Sequence, residues 1–152
     1  ELQTLSPTAQ RLARMFVVVL ARQMDCDLFT ADVATAFLQG KESDRNLWVV
    51  LPKESCRLLG LDENVRMRFK KSMYGLPDAP RLWWQEATDR LLACGFAAHP
   101  LDPCLFLCYN SKYHNLDGMI CIHVDDMLGC ACTKNYGFDC FAPTVVIVCK
   151  LR

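Results

Sequence analysis

The sequence has no long apolar run, no net charge and no Cys-x-x-Cys pair. The longest nearly uncharged apolar stretch, Met15 to Ala21, has seven residues, whereas a transmembrane helix needs roughly 20. We therefore expect no transmembrane helix and no membrane partner. The 17 basic and 17 acidic residues cancel, so a nucleic-acid site would have to come from local clusters of Lys and Arg.

The N-terminus also lacks the features of a secretory signal. It opens "ELQTLSPTAQRLAR", with Glu first and no basic segment leading into an apolar run. Because there is no initiator Met, we expect the chain to be cut from a longer one, and we expect a cytoplasmic location. At 152 residues and 52 % hydrophobic content, the chain suits one domain or a piece of a larger one.

Cysteine, by contrast, is abundant, with ten residues. They lie in apolar settings such as "LFLCYN" and "MICIHV", and without an export signal we expect most of them to be reduced and buried. A structural zinc site is the alternative, although the commonest zinc spacing is missing. The nearest candidate ligands are Cys104 with Cys108 and Cys130 with Cys132, with His114 and His123 nearby.

The first part of the chain predicts a helix, a strand and a short second helix. Ser6 as N-cap and Pro7 at the first helical position predict the start of a largely buried helix whose apolar positions continue to Met24. The segment "CDLFTADVATAFLQG" then predicts a strand that ends near Asp32 and a short helical segment closed by Gly40.

The middle of the chain predicts two further strands. "NLWVVLP" is a strand stopped by Pro52, and residues 53–65 are expected to form a polar connection. In "VRMRFKK" basic and apolar residues alternate, which places Arg66, Arg68 and Lys70 on one face of a strand. This stripe suits either the solvated outer face of an edge strand or a surface that contacts phosphates.

A helix and two strands follow, which completes an α+β pattern. "DAPRLWWQEATDRLLACG" has Asp78 as a cap and Gly95 as a terminator, so it predicts a helix over 78–94. Trp83 and Trp84 are expected to pack in the core, because aromatic side chains carry large buried areas. "PCLFLCYN" and "GMICIHV" predict strands.

"CIHVDDMLGC" places Asp125 and Asp126 side by side at the tip of a hairpin. Asp is favoured in tight turns because it hydrogen-bonds the local backbone, so a purely structural role is open for the pair taken alone. Asp32, however, also ends a strand, and the three carboxylates could meet at one end of a sheet. Two divalent ions about 4 Å apart need such a cluster for phosphoryl transfer. Hard oxygen ligands favour magnesium over zinc.

Four motifs in order, "ADVATAFLQG", "KKSMYGLPDAPRLWW", "GFAAHPLDPCLF" and "IHVDDMLG", make the chain resemble the reverse transcriptase of copia-type long-terminal-repeat retrotransposons. The likeness runs from about Leu5 to Gly129, and His123 stands where the family usually has Tyr. It implies a partial reverse-transcriptase palm, a ferredoxin-like sheet with packed helices, with a remnant of the fingers. Residues 1–130 would be this fingers-palm fragment, and residues 131–152 a divergent C-terminal tail of unknown structure.

The resemblance also implies an RNA-directed DNA polymerase that joins a dNTP to a primer 3′-hydroxyl. Its partners would be an RNA or DNA template with primer, the dNTP and the remainder of the retrotransposon polyprotein, in the cytoplasm or a virus-like particle. The alternative is an inactive remnant, or a nucleic-acid-binding module that retains the palm fold.

The same resemblance implies specific roles for individual residues. Two Mg²⁺ ions, for which Mn²⁺ can substitute, would be bound by Asp32, Asp125 and Asp126 as the catalytic residues. Phe37 would lie against the sugar, and the backbone of Thr35 and Ala36 would approach the triphosphate. The remaining nucleotide contacts would be Tyr74, Gly75 and Arg81, and the nucleic-acid contacts Arg66, Arg68, Lys70 and Lys71.

Overall fold

The computed structural model describes residues 4–109, 112 and 114–132, and the backbone of Val145–Leu151. Helices and strands are mixed along the chain, so the α+β class is confirmed. The helices are α1 (Arg11–Gln23), α2 (Ala36–Gln39), α3 (Lys53–Leu59) and α4 (Ala79–Ala93). The strands are β1 (Asp27–Val33), β2 (Trp48–Val50), β3 (Arg66–Arg68), β4 (Phe96–His99), β5 (Asp102–Tyr109), β6 (Leu116–His123), β7 (Asp126–Ala131) and β8 (Val145–Leu151).

The strands form a six-stranded sheet and a separate two-stranded ribbon. The larger sheet has the order β4-β5-β6-β7-β1-β8, and every neighbouring pair in it is antiparallel. The ribbon consists of β2 and β3, also antiparallel. Strand β8 lies beside β1 and so brings residues 145–151 onto the large sheet. The expected domain division at residue 130 stays a prediction.

The large sheet is covered by α4 on one face and by α1 on the other. Each helix contributes small or apolar side chains that pack on buried residues of the strands. The α4 layer includes Trp83, Ala87, Leu91, Phe29, Val33 and Phe106. The α1 layer includes Ala13, Val17, Ala21, Met119, Cys121 and Cys130. No helix among the described residues has the length and apolar content that crossing a membrane requires.

The prediction for the first helix was wrong in two respects. The helix begins at Arg11 with Gln10 as N-cap, not at Ser6, because the Ser6 hydroxyl donates to the Pro80 carbonyl at 3.2 Å. The Gln10 N–H instead donates to the Asp102 carboxylate at 3.2 Å. The helix is also not largely buried. It contacts the sheet through its small residues, and its larger apolar side chains are exposed, namely Leu12, Met15, Phe16, Val18 and Val19.

The predicted helix over 78–94 is confirmed as α4, with Gly95 following it in the left-handed conformation. Asp78 occupies the N-cap position, but its side chain does not cap the helix. Its carboxylate accepts hydrogen bonds from Ser43 and Arg45 instead. The expected polar connection over 53–65 contains α3, which the left-handed Gly60 ends.

The expectation that most cysteines are reduced and buried holds for five of the described ones, all of them free and buried: Cys56, Cys104, Cys108, Cys121 and Cys130. It is wrong for Cys26 and Cys132, which form a disulfide, and for Cys94, which is also disulfide-bonded. The first pair lies at the far end of the β1–β7 pairing, where the register sets Asp27 opposite Ala131. The register of these two strands therefore brings Cys26 and Cys132 together.

The zinc alternative finds little support among the described residues, which contain no group of three potential ligands able to hold a metal ion. Cys132 forms a disulfide and therefore has no thiolate to offer a metal. Cys104 and Cys108 belong to the core layers on opposite faces of the sheet. Burial, followed by the nearby Asp102 carboxylate, raises the pKa of Cys104 to about 12. The free thiol is therefore protonated at neutral pH.

Candidate functional site

Two of the predicted acidic residues face each other across adjacent strands. Asp32 of β1 is the register partner of Asp126 of β7. Directly opposite residues of an antiparallel pair point to the same face, with Cβ atoms about 4.5–5.5 Å apart. Ala31 and Val33 pack in the α4 layer, so alternation along the strand puts Asp32 on the α1 face. Both carboxylates are thus presented at one end of the sheet, on the same side.

Asp125 lies in the turn next to this pair. His123 and Asp126 are the last paired residues of the β6–β7 hairpin, which leaves Val124 and Asp125 as its two-residue loop. The Asp125 carbonyl accepts a hydrogen bond from the Val33 N–H at 3.4 Å, which joins the turn to the end of β1. The structure therefore brings all three predicted catalytic residues to one end of the sheet.

The backbone of this turn is strained. Val124 has φ of 60°, in the left-handed region that a β-branched residue rarely adopts. A positive φ at the first of two loop residues is typical of a type II′ turn, where glycine is usual. Such conformations cost about 1–3 kcal/mol and persist only where surrounding structure imposes them. The surroundings of Val124 therefore need to hold the turn in place.

Helix α4 provides that support through Trp83. The indole N–H of Trp83 donates to the Val124 carbonyl at 2.7 Å, and the side chain is 1 % exposed. The sequence predicted a core position for Trp83 and missed this contact with the turn. The available signal was the indole N–H itself, because a buried tryptophan usually needs a hydrogen-bond acceptor. A core residue thus fixes the backbone beside Asp125.

Helix α2, which carries Phe37, the residue predicted to contact the sugar, packs against α4. Gly40 closes α2 so near to α4 that a Cβ atom on it would meet the Trp83 backbone nitrogen at 3.0 Å. The Phe37 ring lies against the Tyr74 ring, with centroids 4.9 Å apart. Thr35, in the left-handed conformation with φ of 53°, is the N-cap residue of α2. Two residues predicted to contact the nucleotide, Phe37 and Tyr74, therefore form one cluster.

The other predicted nucleotide contacts are placed less directly. Ala36 is fully buried, backbone included, so its predicted approach to the triphosphate stays a prediction. Gly75 follows Tyr74 with φ of 90°, a conformation that suits glycine. Arg81 lies in the first turn of α4 and is half-buried. The structure does not itself join these residues to the acidic end of the sheet.

Asp32, Asp125 and Asp126 have no oppositely charged partner among the described side chains. Asp32, Asp125 and Asp126 form no salt bridge and no side-chain hydrogen bond with any described residue. Asp126 also faces His123 across the hairpin, and the buried Nδ1 atom of His123 has no hydrogen-bond partner among those residues. Unpaired negative charge at the end of a sheet suits a cation.

The donor set fits magnesium better than a softer metal. Mg²⁺ prefers oxygen ligands and is usually held by one or two carboxylates together with water and substrate phosphates. Asp32 and Asp126 offer two facing carboxylates, and Asp125 lies in the adjoining turn. The three aspartates do not by themselves form a metal site, because no group of three His, Cys, Asp or Glu side chains able to hold a metal ion is found among the described residues. The site therefore fits an ion that a nucleotide helps to hold.

The predicted nucleic-acid contacts lie elsewhere, on the ribbon and its continuation. Arg66 and Arg68 both lie on β3, in register with β2. The predicted strand is shorter than expected, so Lys70 and Lys71 fall beyond its end. Lys71 forms an isolated β-bridge with Glu42. These basic residues are carried by a different sheet from the three aspartates.

Comparison with known proteins gives a family. A model described as "Reverse transcriptase (RNA-dependent DNA polymerase)" matches residues 2–137. The chain is similar to the retrovirus-related Pol polyprotein from transposon TNT 1-94 of Nicotiana tabacum, with 28 % identity over 81 % of this chain and 9 % of the relative. It is also similar to those from transposons RE1 and RE2 of Arabidopsis thaliana, at 30 % and 29 %, each over 83 % of this chain and 8 % of the relative.

No solved structure gives a significant match. The chain spans less than a tenth of the length of these curated relatives. The family model nevertheless covers nearly the whole chain, including all four motifs and the end of β7. The chain therefore belongs to the reverse transcriptase (RNA-dependent DNA polymerase) family, in the form found in the Pol polyproteins of long-terminal-repeat retrotransposons.

Proposed function

We propose that this chain carries the nucleotidyl-transfer centre of an RNA-directed DNA polymerase, at the end of the sheet where Asp32 faces Asp126. The observation that supports it is the β1–β7 register, which sets these two residues opposite each other with Asp125 in the adjoining turn. No described cation neutralises the three carboxylates. We also propose that the six-stranded sheet with α4 corresponds to the palm of such polymerases.

Asp32, Asp125 and Asp126 would hold two Mg²⁺ ions together with the nucleotide phosphates. When bound, the ions supply charge neutralisation for the primer 3′-oxygen and for the departing pyrophosphate. The protein itself positions the carboxylates, because the turn that carries Asp125 is fixed by the hydrogen bond from Trp83 to Val124. Rigid support of this kind matters, since correct positioning can contribute about 7–11 kcal/mol to lowering a reaction barrier.

The nucleotide would bind beside the Phe37–Tyr74 cluster. Phe37 is half-buried against the α4 layer and in contact with the Tyr74 ring, so it offers a fixed apolar edge against which a sugar can lie. The backbone at Thr35 and Ala36 and the residues Gly75 and Arg81 would complete this pocket. We propose Phe37 as the residue that excludes a 2′-hydroxyl.

A second function, nucleic-acid binding without catalysis, is favoured by one observation. Arg66, Arg68 and Lys70 form no salt bridge with any described residue, so they are available to phosphates. Such binding does not depend on the three aspartates. The two functions therefore predict different effects of the same aspartate substitutions.

Metal binding and catalysis can be tested on the 152-residue chain itself. Titration with Mn²⁺, followed by electron paramagnetic resonance, should reveal sites that Asp32→Asn or Asp126→Asn weakens at least about tenfold, by analogy with the effect of outer-shell changes at metal sites. Asp62→Asn is the matched control, because Asp62 is exposed and has no salt-bridge partner among the described residues. A primer-extension assay on an RNA template, with Mg²⁺, then tests catalysis.

We expect slow extension by the unmodified chain and none by the Asp125→Asn, Asp126→Asn double variant. Metal binding without any extension would favour the second function. Equal Mn²⁺ affinity in the wild type, Asp32→Asn and Asp126→Asn would show that the acidic end of the sheet is not a metal site.

A further inference from the structure

The ribbon carries an exposed tryptophan directly opposite an arginine. Trp48 of β2 is the register partner of Arg68 of β3, and Val50 is the partner of Arg66. Residues directly opposite each other on two antiparallel strands point to the same face, and so do residues two apart along one strand. We call this surface, formed by Trp48, Val50, Arg66 and Arg68, the Trp48 face.

The Trp48 face is open to solvent. Trp48 is 57 % exposed and Val50 is 59 % exposed, and both arginines are exposed as well. A large aromatic side chain on a protein surface leaves a broad apolar ring face in water, and such exposure marks interaction sites. The ribbon is held in shape by further backbone bonds, including the Phe69 N–H to the Leu47 carbonyl at 2.9 Å.

The two arginines of this face have no ion-pair partner in the part of the chain that the structure describes. Basic residues on either side of β2 pair with carboxylates, namely Lys41, Arg45, Lys53 and Arg57. Arg66 and Arg68 lie on β3, opposite β2, and neither forms a salt bridge with a described residue. Two guanidinium groups with no salt-bridge partner among the described residues therefore lie on the same face as Trp48.

We propose that the Trp48 face binds single-stranded nucleic acid, with a base stacked on Trp48 and the adjoining phosphates on Arg66 and Arg68. Every base offers a flat π-face, so stacking on an aromatic residue tolerates any sequence. A duplex hides those faces, whereas an unpaired strand presents them together with its phosphates. The combination of an open ring and two unpaired guanidinium groups thus fits a single strand better than a duplex or an uncharged partner.

The proposal deepens the proposed function, because the bound strand would be the unpaired part of the template. Its binding does not require the acidic site. Binding is therefore measured in EDTA and without nucleotide, so that failure of catalysis and failure of this site give different results. The probes are fluorescein-labelled oligo(rA) and oligo(rU) of about 12 nucleotides and a matching RNA duplex, followed by fluorescence anisotropy.

We expect Trp48→Ala to weaken single-strand binding about tenfold and Trp48→Phe to weaken it much less, since one base–aromatic stack is being removed or reduced. The Arg66→Gln, Arg68→Gln double variant should flatten the dependence of log affinity on log salt by about 1.4, from two phosphate contacts at about 0.7 each. Lys53→Gln and Leu58→Ala are the controls for charge and for exposed apolar area.

Thermal unfolding of each variant checks that the fold is intact, and the Phe variant keeps the test valid if the Ala variant is unstable. Unchanged affinity in Trp48→Ala with a loss in the arginine variant would overturn the stacking site and leave only phosphate contacts. Unchanged affinity in both would overturn the proposal. An equal loss for single strand and duplex would also overturn the proposal.

Discussion

The acidic end of the large sheet and the β2–β3 ribbon are supported by very different amounts of buried structure. The acidic end rests on α4, whose Trp83 and Leu91 are no more than 1 % exposed, and its turn is held by a hydrogen bond from that core. In the ribbon, by contrast, all three residues of β3 are exposed. Placing reacting atoms demands fixed geometry, whereas attracting a charged strand needs only charge and an open surface.

The largest expected effect is the loss of Trp83. Trp83→Ala should lower the free energy of unfolding by about 3–5 kcal/mol, as removal of a large buried aromatic residue does. Trp83→Phe should also lower the free energy of unfolding. About 1 kcal/mol of that loss, beyond the effect of the smaller side chain on packing, is expected because the hydrogen bond to the Val124 carbonyl disappears. Urea unfolding measures both. Trp84→Ala, at a half-buried neighbour, is the control, and an equal loss there would contradict a special role for Trp83.

The next effect concerns the opposite end of the β1–β7 pair. Cys26 and Cys132 are separated by 106 residues, and a disulfide that closes a long loop typically contributes about 2–4 kcal/mol. The Cys26→Ser, Cys132→Ser variant should lose that amount in urea unfolding without reductant. Cys56→Ser is a control that removes a buried free thiol. If wild type and double variant unfold alike under non-reducing conditions, the disulfide does not stabilise the sheet.

A smaller effect, of opposite sign, is expected at the turn. Val124→Gly should raise the free energy of unfolding by about 1 kcal/mol, because relief of about 1–3 kcal/mol of backbone strain outweighs the entropy that glycine loses. Urea unfolding again gives the value. Val33→Gly, in the buried part of β1, should instead destabilise the protein. Destabilisation by both changes would show that Val124 is not strained in solution.

The smallest effect should be seen in the ribbon. Trp48→Ala and the Arg66→Gln, Arg68→Gln variant should change the free energy of unfolding by less than about 0.5 kcal/mol, as exposed substitutions usually do. The same variants are expected to weaken nucleic-acid binding. Loss of stability comparable to that of Trp84→Ala would mean that the ribbon is part of the folded core and would end the contrast between the two regions.

Local signals predicted much of this fold. The helix α4 and the β6–β7 hairpin follow from patterns within about twenty residues, and both are confirmed. The start of α1 could not be predicted in the same way, because it depends on the Asp102 carboxylate, which is distant in sequence. The exposure of the larger apolar residues of α1 depends on which small residues meet the sheet.

The candidate site shows the same division. That the acidic residues would gather at one end of a sheet followed from two strands ending in Asp. The bond from Trp83 to Val124 and the pairing of Trp48 with Arg68 could not be predicted, since both depend on contacts between elements far apart in sequence. The disulfide was missed for this reason too, because its formation depends on the register of β1 against β7.

Because of that register, the number of residues in β1 between the disulfide and the acidic site is fixed. Removing one residue between Cys26 and Asp32 while the disulfide stays in place would turn the aspartate towards the α4 layer, where Ala31 and Val33 are 2 % exposed. Removing two residues would return the aspartate to its original face of the sheet. It would then lie opposite Leu128, the present partner of Thr30. This strand can accept substitutions on its surface, yet it has no room for an insertion or a deletion.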